Sequence, residues 1–241
     1  SEGDAYNKFA INYSRDSIRA LNFFSKVDVK EIRTEYQDKL DLEILVEEKN
    51  TGEASLGAGY SSASSTSLNL GLKETNFLGK GQKLNFTSSF SNTRNTYDIS
   101  FTEPYFNDKQ LALTGNLYSN FNDPSSVNYE TEDLGIGINA QFPLSPNINL
   151  STRYSLFTTK VKADSNATNY ERLLAGTDTI SIIGYSLKYD KRNSRYKPSR
   201  GFIFEVDQDI AGLGGTSYYV KNIVEYNVYK RLSEELIGAF K

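Results

Sequence analysis

The sequence predicts a mainly β protein in which a transmembrane, antiparallel, up-and-down β-barrel follows a small α+β unit. Three observations support this fold class. From Gly52 onward, apolar and polar side chains alternate with a period of two. Turn residues divide that pattern into segments close to the ~9–11 residues of a tilted spanning strand. Aromatic residues make up 13% of the chain, and they are typical of strands and of the membrane-interface girdles of barrels.

The composition excludes several classes of protein. No run approaches the ~20 apolar residues of a spanning helix, so the chain is not a helical membrane protein. Cys and His are both absent, which excludes disulfides, thiolate zinc sites and Ser-His-Asp catalysis. A net charge of −3 does not favour nucleic acid as a partner. Paired carboxylates, an activated nucleophile and a general base are not recognisable, so we predict neither an enzyme nor a cofactor.

Residues 1–50 are predicted to form the α+β unit. Asn7 is a suitable N-cap for a helix over residues 8–21, and Asn22 can adopt the left-handed conformation that ends it. Strands over residues 27–32 and 40–46 follow. Two strands and one helix bury little apolar area, so we expect more sequence upstream. The absence of methionine supports the same expectation, that the chain is part of a longer protein.

Residues 51–241 are predicted to form the barrel, with about ten strands and the start of an eleventh at Leu236. Within each segment the apolar residues share one face, as Leu68, Leu70 and Leu72 do, and polar residues such as Asn69 occupy the other. In a barrel the apolar face contacts lipid. The alternative is a soluble sandwich, which would bury that face in a packed core.

The connections between segments are predicted to alternate between two rims. One set is compact and rich in Gly or Pro, at residues 79–81, 104–109, 143–147 and 190–201. The other set is polar and variable in length, at residues 61–65, 91–95, 120–129 and 159–177. Outer-membrane barrels have short periplasmic turns and longer external loops. The first strand starts at the predicted short-turn rim, which places residues 1–50 in the periplasm.

Several segments of the chain resemble the Omp85 superfamily. Residues 3–7 and 19–27 resemble the second half of a POTRA domain, and residues 46–52 resemble the exit from the last POTRA domain into the barrel. Residues 76–82 and 101–106 resemble regions between successive strands of that barrel. Asp190 and Arg192, with Pro198 and Gly201, resemble the Asp-x-Arg…Pro…Gly hairpin of the family. The resemblance implies a barrel of about sixteen strands, of which about ten or eleven would be present here.

The resemblance also implies a function: folding and insertion of β-barrel proteins into the cell outer membrane of a Gram-negative bacterium, without a cofactor. The partners would be unfolded outer-membrane β-barrel proteins, accessory assembly lipoproteins on the periplasmic side, and outer-membrane lipids. The first barrel strand would form one side of a lateral gate and pair with the client by β-augmentation. Its residues in this role would be Gly52, Ala54, Ser55, Leu56, Gly57, Ala58, Gly59 and Tyr60.

Other interpretations of these segments stay open. The glycines of the first strand can instead permit a bend or a close approach of two backbones. Another Omp85 member, in two-partner secretion or TamA-like translocation, would also fit the resemblance, and a passive porin would fit the barrel alone. For the remaining family motifs we expect structural roles: interface anchoring and strand termination for the first, and a solvated turn for the second. Those motif residues are Phe101, Glu103, Pro104, Tyr105, Phe106, Asp190, Arg192, Pro198 and Gly201.

Overall fold

The computed structural model describes residues 5–36, 39–61, 65–234 and 236–241. Gly3 and Asp4 of the POTRA-like segment, and residues 62–64 of a predicted loop, lie outside the described residues. The first element is helix α1, Lys8–Ala20. The Asn7 side chain caps it by accepting hydrogen bonds from the backbone N–H groups of Phe9, at 2.9 Å, and Ala10, at 3.2 Å. Asn22 follows the helix in the predicted left-handed conformation, with φ of 62°.

Helix α1 packs beside a two-stranded antiparallel sheet formed by β1, Phe24–Arg33, and β2, Leu40–Glu48. The helix and the sheet meet at Val27, which is 1% exposed and whose carbonyl oxygen accepts a hydrogen bond from Arg19 Nη2 at 2.9 Å. Every residue of β2 is exposed. The unit therefore buries very little apolar surface, as its small size predicts.

The rest of the chain forms one antiparallel sheet of eleven strands in which spatial order follows chain order. This confirms the predicted mainly β, up-and-down fold class. The strands β3 and β13 lie at the two ends of the sheet, which is not closed in the described residues. The strands are β3 Gly52–Ser61, β4 Ser65–Phe77, β5 Gln82–Ser91, β6 Arg94–Glu103, β7 Ala112–Asn122, β8 Tyr129–Ser145, β9 Ile148–Ala163, β10 Gly176–Asp190, β11 Gly201–Ala211, β12 Tyr219–Arg231 and β13 Ile237–Phe240.

Strand register gathers the apolar side chains onto one face of the sheet. One row of directly paired residues crosses six strands, from β4 to β9: Leu72, Phe86, Ile99, Leu117, Ile136 and Leu156. Leu72 is 56% exposed and Leu117 is 55% exposed, so this face is not buried in a packed core. An exposed apolar face of this extent is a lipid-facing surface, which favours the barrel over the soluble sandwich.

The opposite face is polar and carries ion pairs. Arg153 Nη2 lies 2.6 Å from Asp209 Oδ1, and Arg153 Nη1 lies 3.6 Å from Asp207 Oδ1. Lys188 Nζ lies 3.0 Å from Glu205 Oε2. A polar face opposite a lipid-facing apolar one is typical of a barrel lumen.

The connections alternate between two rims, but they do not separate by length as predicted. Residues 92–93 form a tight turn on the rim predicted to carry long loops, whereas residues 104–111 and 191–200 form longer connections on the other rim. Ser91 closes the tight turn, because its Oγ accepts a hydrogen bond from the Arg94 N–H at 2.9 Å and donates one to the Arg94 carbonyl at 3.0 Å. Polar composition therefore did not indicate the length of this connection.

One longer connection contains the second helix, α2, Asn169–Leu174. Neither helix in the described part of the chain is long and apolar enough to cross a membrane.

Candidate functional site

The predicted gate strand is β3, and it is an edge strand. It pairs with β4 along its whole length, from Gly52 opposite Glu74 to Ser61 opposite Ser65. In the described residues its other edge has no strand partner. An antiparallel strand directs alternate N–H and C=O groups to each side, so half of the backbone groups of β3 point away from β4. Such an edge is able to pair with another chain.

Side-chain packing contributes little to the pairing of β3 with β4. All ten residues of β3 are exposed, including Leu56 at 73% and Tyr60 at 82%. On the lumen face each cross-strand pair of β3 and β4 between residues 55 and 59 contains at least one glycine: Ser55 with Gly71, Gly57 with Asn69, and Gly59 with Ser67. Cross-strand side-chain pairs normally add roughly 0.2–1 kcal/mol each. The β3–β4 pairing therefore depends mainly on backbone hydrogen bonds.

The beginning of β3 is anchored at the rim by Glu74. The Glu74 carboxylate accepts hydrogen bonds from the hydroxyl of Thr51 and, at 2.8 Å, from the backbone N–H of Asn76. Asn76 Oδ1 in turn accepts the N–H of Gly81, at 2.7 Å, in the β4–β5 turn. The network ties the residue before β3 to the turn that follows β4. The first residues of β3 are thus held in place, whereas the rest of the strand makes few side-chain contacts.

The structure brings a second motif close to the same turn. Gln82 Nε2, at the start of β5, donates to Glu103 Oε2 at 2.7 Å, and Glu103 Oε1 accepts the N–H of Tyr105 at 3.2 Å. The rings of Phe77 and Phe101 meet edge to face, with centroids 6.3 Å apart. Pro104 follows β6 and begins the connection to β7.

The aromatic residues after Pro104 stay accessible. Tyr105 is 58% exposed and Phe106 is 46% exposed. They line an open cleft of about 620 Å³ together with Lys80 and Leu113. This position, at the edge of the apolar face, agrees with the predicted interface anchoring, which stays a prediction.

The third motif forms an ordered loop at residues 191–200, between β10 and β11, the eighth strand connection after β3. Arg192 makes two side-chain hydrogen bonds to Asp190, from Nε at 2.9 Å and from Nη2 at 2.7 Å. The hydrogen bonds to Asp190 raise the pKa of Arg192. Pro198 is half-buried beside the buried Ser199. At Gly201, with φ of 102°, an added Cβ would collide with the carbonyl oxygen of Lys191, so only glycine fits there.

Glu74, which anchors the beginning of β3, was not predicted as a site residue. Residues Leu68, Leu70 and Leu72 form an apolar series with a period of two, and Glu74 is its next member. A carboxylate that continues an apolar face close to a turn is expected to have hydrogen-bond donors nearby. That interruption of the pattern was the available signal.

Comparison with known proteins shows where this architecture occurs. The Omp85 superfamily domain matches residues 76–241. Outer membrane protein assembly factor BamA of Nitratidesulfovibrio vulgaris is 26% identical over 239 residues, which are 97% of this chain and 30% of that protein. The sorting and assembly machinery component 50 homolog of Mus musculus is 25% identical over 224 residues, which are 91% of this chain and 48% of that protein.

A solved structure has the same fold. The crystal structure of BamA from Haemophilus ducreyi lacking POTRA domains 1–3 superposes with a TM-score of 0.80 at 21% identity. The match covers 98% of this chain and 48% of that one. The chain therefore spans less than half the length of each of these three proteins.

Proposed function

Because this chain belongs to the Omp85 superfamily, we propose that it is part of a factor that folds and inserts β-barrel proteins into the outer membrane. The client would pair with the open edge of β3. The observation that carries this proposal is that all ten residues of β3 are exposed and most of them are small, so side-chain packing holds the strand only weakly to its neighbour.

Opening the barrel beside β3 should cost little free energy. A client strand needs N–H and C=O partners that are not already bonded, and an edge strand supplies them without the loss of an existing pair. If β3 also pairs with a closing strand, its small side chains make that pairing weak. The hydrogen bonds of Glu74 keep the beginning of β3 at the rim while this exchange takes place.

The location agrees with this role. The chain is an outer-membrane protein, as predicted, and its bacterial relative is named as an outer membrane protein assembly factor. We infer that residues 1–50 are the C-terminal part of a POTRA domain in the periplasm and that residues 51–241 belong to the barrel. We also infer that accessory lipoproteins bind on the periplasmic side, since most of the described residues between 5 and 50 are exposed.

A cysteine cross-link tests whether the client pairs with β3. The chain has no cysteine, so a single introduced thiol is unique within it. Leu56→Cys places that thiol on the apolar face of β3, and a client with one cysteine in an edge strand should form a disulfide with it during insertion into lipid vesicles. The control is Leu134→Cys on β8, which lies in the same row of paired residues and is 62% exposed.

The full-length protein should insert the client and cross-link at residue 56 far more than at residue 134. Equal cross-linking at both positions would reject β3 as the pairing strand. Ion conductance without client insertion would instead identify a passive porin. Transport of the client across the vesicle membrane, in place of insertion, would identify a translocation protein.

A further inference from the structure

The loop at residues 191–200, here called the basic loop, concentrates positive charge. Five of its residues are basic and none is acidic, in a chain whose net charge is −3. Arg192 is neutralised by its two hydrogen bonds to Asp190. The four remaining cations of the basic loop are Lys191, Arg195, Lys197 and Arg200.

These four side chains are exposed. In the described residues none of them makes a side-chain hydrogen bond or an ion pair. Lys191 Nζ lies 5.7 Å from the centre of the Tyr189 ring. A further exposed lysine, Lys230, lies one residue beyond the last β11–β12 pair, where it continues the register opposite Arg200. With Lys230, the basic loop thus presents five exposed cations that have no ion-pair partner at salt-bridge distance in the described residues.

The basic loop lies next to a cluster of aromatic rings at the adjoining ends of β10, β11 and β12. The centroids of Tyr189 and Phe202 are 5.4 Å apart, those of Phe202 and Tyr226 are 5.8 Å apart, and those of Phe204 and Tyr226 are 6.2 Å apart. Strand register places all four rings on the apolar face. Aromatic rings at the end of a lipid-facing strand mark the boundary between acyl chains and water. The unpaired cations therefore lie at the depth of lipid head groups.

Internal hydrogen bonds hold the backbone of the basic loop in place. Asn193 Oδ1 accepts the N–H groups of Ser199, at 3.0 Å, and Arg200, at 2.9 Å. The N–H of Asn193 donates to the Arg200 carbonyl at 3.0 Å. Arg231 Nη2 donates to Ser199 Oγ at 3.3 Å. A ligand that binds here does not have to order the backbone first, which lowers the cost of binding.

From these observations we propose that the basic loop binds anionic phospholipid head groups, in the leaflet at the rim where β3 begins. Ammonium and guanidinium groups pair with phosphate, and cations beside a bilayer surface are attracted to anionic lipid. The ring cluster favours lipid over an acidic protein, because it holds the cations at the bilayer surface. Tyr196, 97% exposed in the middle of the loop, adds an aromatic side chain suited to the same boundary. This site goes beyond the proposed insertion of clients and depends only on the membrane location.

Native mass spectrometry of the full-length protein with defined lipids tests the proposal. The wild type should retain phosphatidylglycerol in preference to phosphatidylcholine. A variant with Lys191→Gln, Arg195→Gln, Lys197→Gln and Arg200→Gln should lose that preference several-fold. The matched control is Lys80→Gln with Lys109→Gln, two exposed cations in other turns of the same rim. Lys191→Arg with Lys197→Arg keeps the charge and should keep the preference.

Three results would overturn the proposal. The first is an unchanged lipid preference in the fourfold variant, provided that its folded barrel still shows the mobility shift between unheated and heated gel samples. The second is an equal loss in the control variant. The third is displacement of the lipid by inorganic phosphate at a similar concentration, which would indicate a site for free phosphate. Cross-linking of the client at residue 56 is measured separately, so failure of this site and failure of the proposed function are distinguishable.

Discussion

Arg153 on β9 reaches Asp209 on β11 across the intervening strand β10, with Nη2 and Oδ1 2.6 Å apart. Register places Gly184 of β10 between them in the same row of paired residues. The ion pair is possible because Gly184 has no side chain: an added Cβ would lie 2.9 Å from Arg153 Nε and 2.8 Å from the Gln208 carbonyl oxygen, and would collide with the Asp209 carboxylate. The three strands are thus joined on the lumen face by one side-chain contact in addition to their backbone bonds.

We predict that Gly184→Ala destabilises the barrel by about 1–3 kcal/mol, because the new methyl group forces the Arg153–Asp209 pair apart. Thermal unfolding in detergent micelles measures the change. Gly115→Ala is the control, since a Cβ there meets nothing within 4 Å. An equal loss of stability in both variants would show that the glycine backbone, and not the ion pair, is responsible.

We predict that Gly201→Ala is more harmful than Gly79→Ala. Both glycines have positive φ, 102° and 72°, but a Cβ at residue 79 meets nothing within 4 Å, whereas one at residue 201 would lie 2.9 Å from Arg192 Cα. Gly79→Ala should cost about 1 kcal/mol for backbone conformation alone. Gly201→Ala should lower the stability by about 1–3 kcal/mol more, because of the collision. Equal melting temperatures of the two variants would contradict the described geometry of the basic loop.

The connection between β9 and β10, which contains α2, should lose stability at low pH. The Glu171 carboxylate accepts the N–H groups of Asn128, at 3.0 Å, and Thr168, at 2.7 Å, and these hydrogen bonds lower its pKa from 4.5 to about 2. Because the pKa is lower in the folded loop, the stabilisation is complete above pH 4.5 and is lost as the pH falls towards 2.

Hydrogen exchange at the Asn128 amide measures this loss. Its protection factor should fall between pH 4.5 and pH 2 in the wild type. In Glu171→Gln the protection should be weaker and independent of pH over that range. A wild-type protection factor that stays constant would contradict the assignment of Glu171 as the acceptor.

Removing the anchor of the gate strand should loosen its beginning. Glu74→Leu deletes the acceptor for the Thr51 hydroxyl and the Asn76 N–H, so we expect the Asn76 amide to exchange about ten-fold faster. Lys73→Leu, the adjacent position on the lumen face, is the control because Lys73 makes no such hydrogen bond in the described residues. Client cross-linking should still favour residue 56 over residue 134, because Glu74→Leu leaves the β3 strand itself in place.

Local signals in the sequence predicted much of the fold. Asn7 and Asn22 have a chemistry that begins and ends a helix by itself, so both ends of α1 were predictable. The strands were predictable because a period of two depends only on neighbouring residues. Even the start of the last strand, close to Leu236, was visible from that pattern.

Relationships between strands were not predictable in the same way. The Arg153–Gly184–Asp209 row depends on the register of three strands, which is set by turn geometry and by the sheet as a whole. Residues 91–95 were predicted only as a polar connection of the set with variable length, because polarity does not reveal a side chain that closes a hairpin as Ser91 does. In the candidate site, the small residues of β3 singled out that strand. The role of its anchor Glu74 could not be predicted, because it depends on contacts with the neighbouring turn.

The hydrogen bonds of Glu74 also limit how the first barrel strand can move. Because Glu74 holds its beginning and few side-chain contacts hold the rest, β3 should separate from a neighbouring strand first near Tyr60 and last at Gly52. The strand would then open without sliding along its neighbour. A client strand that pairs with β3 would take the same register each time, which keeps its apolar residues facing the lipid.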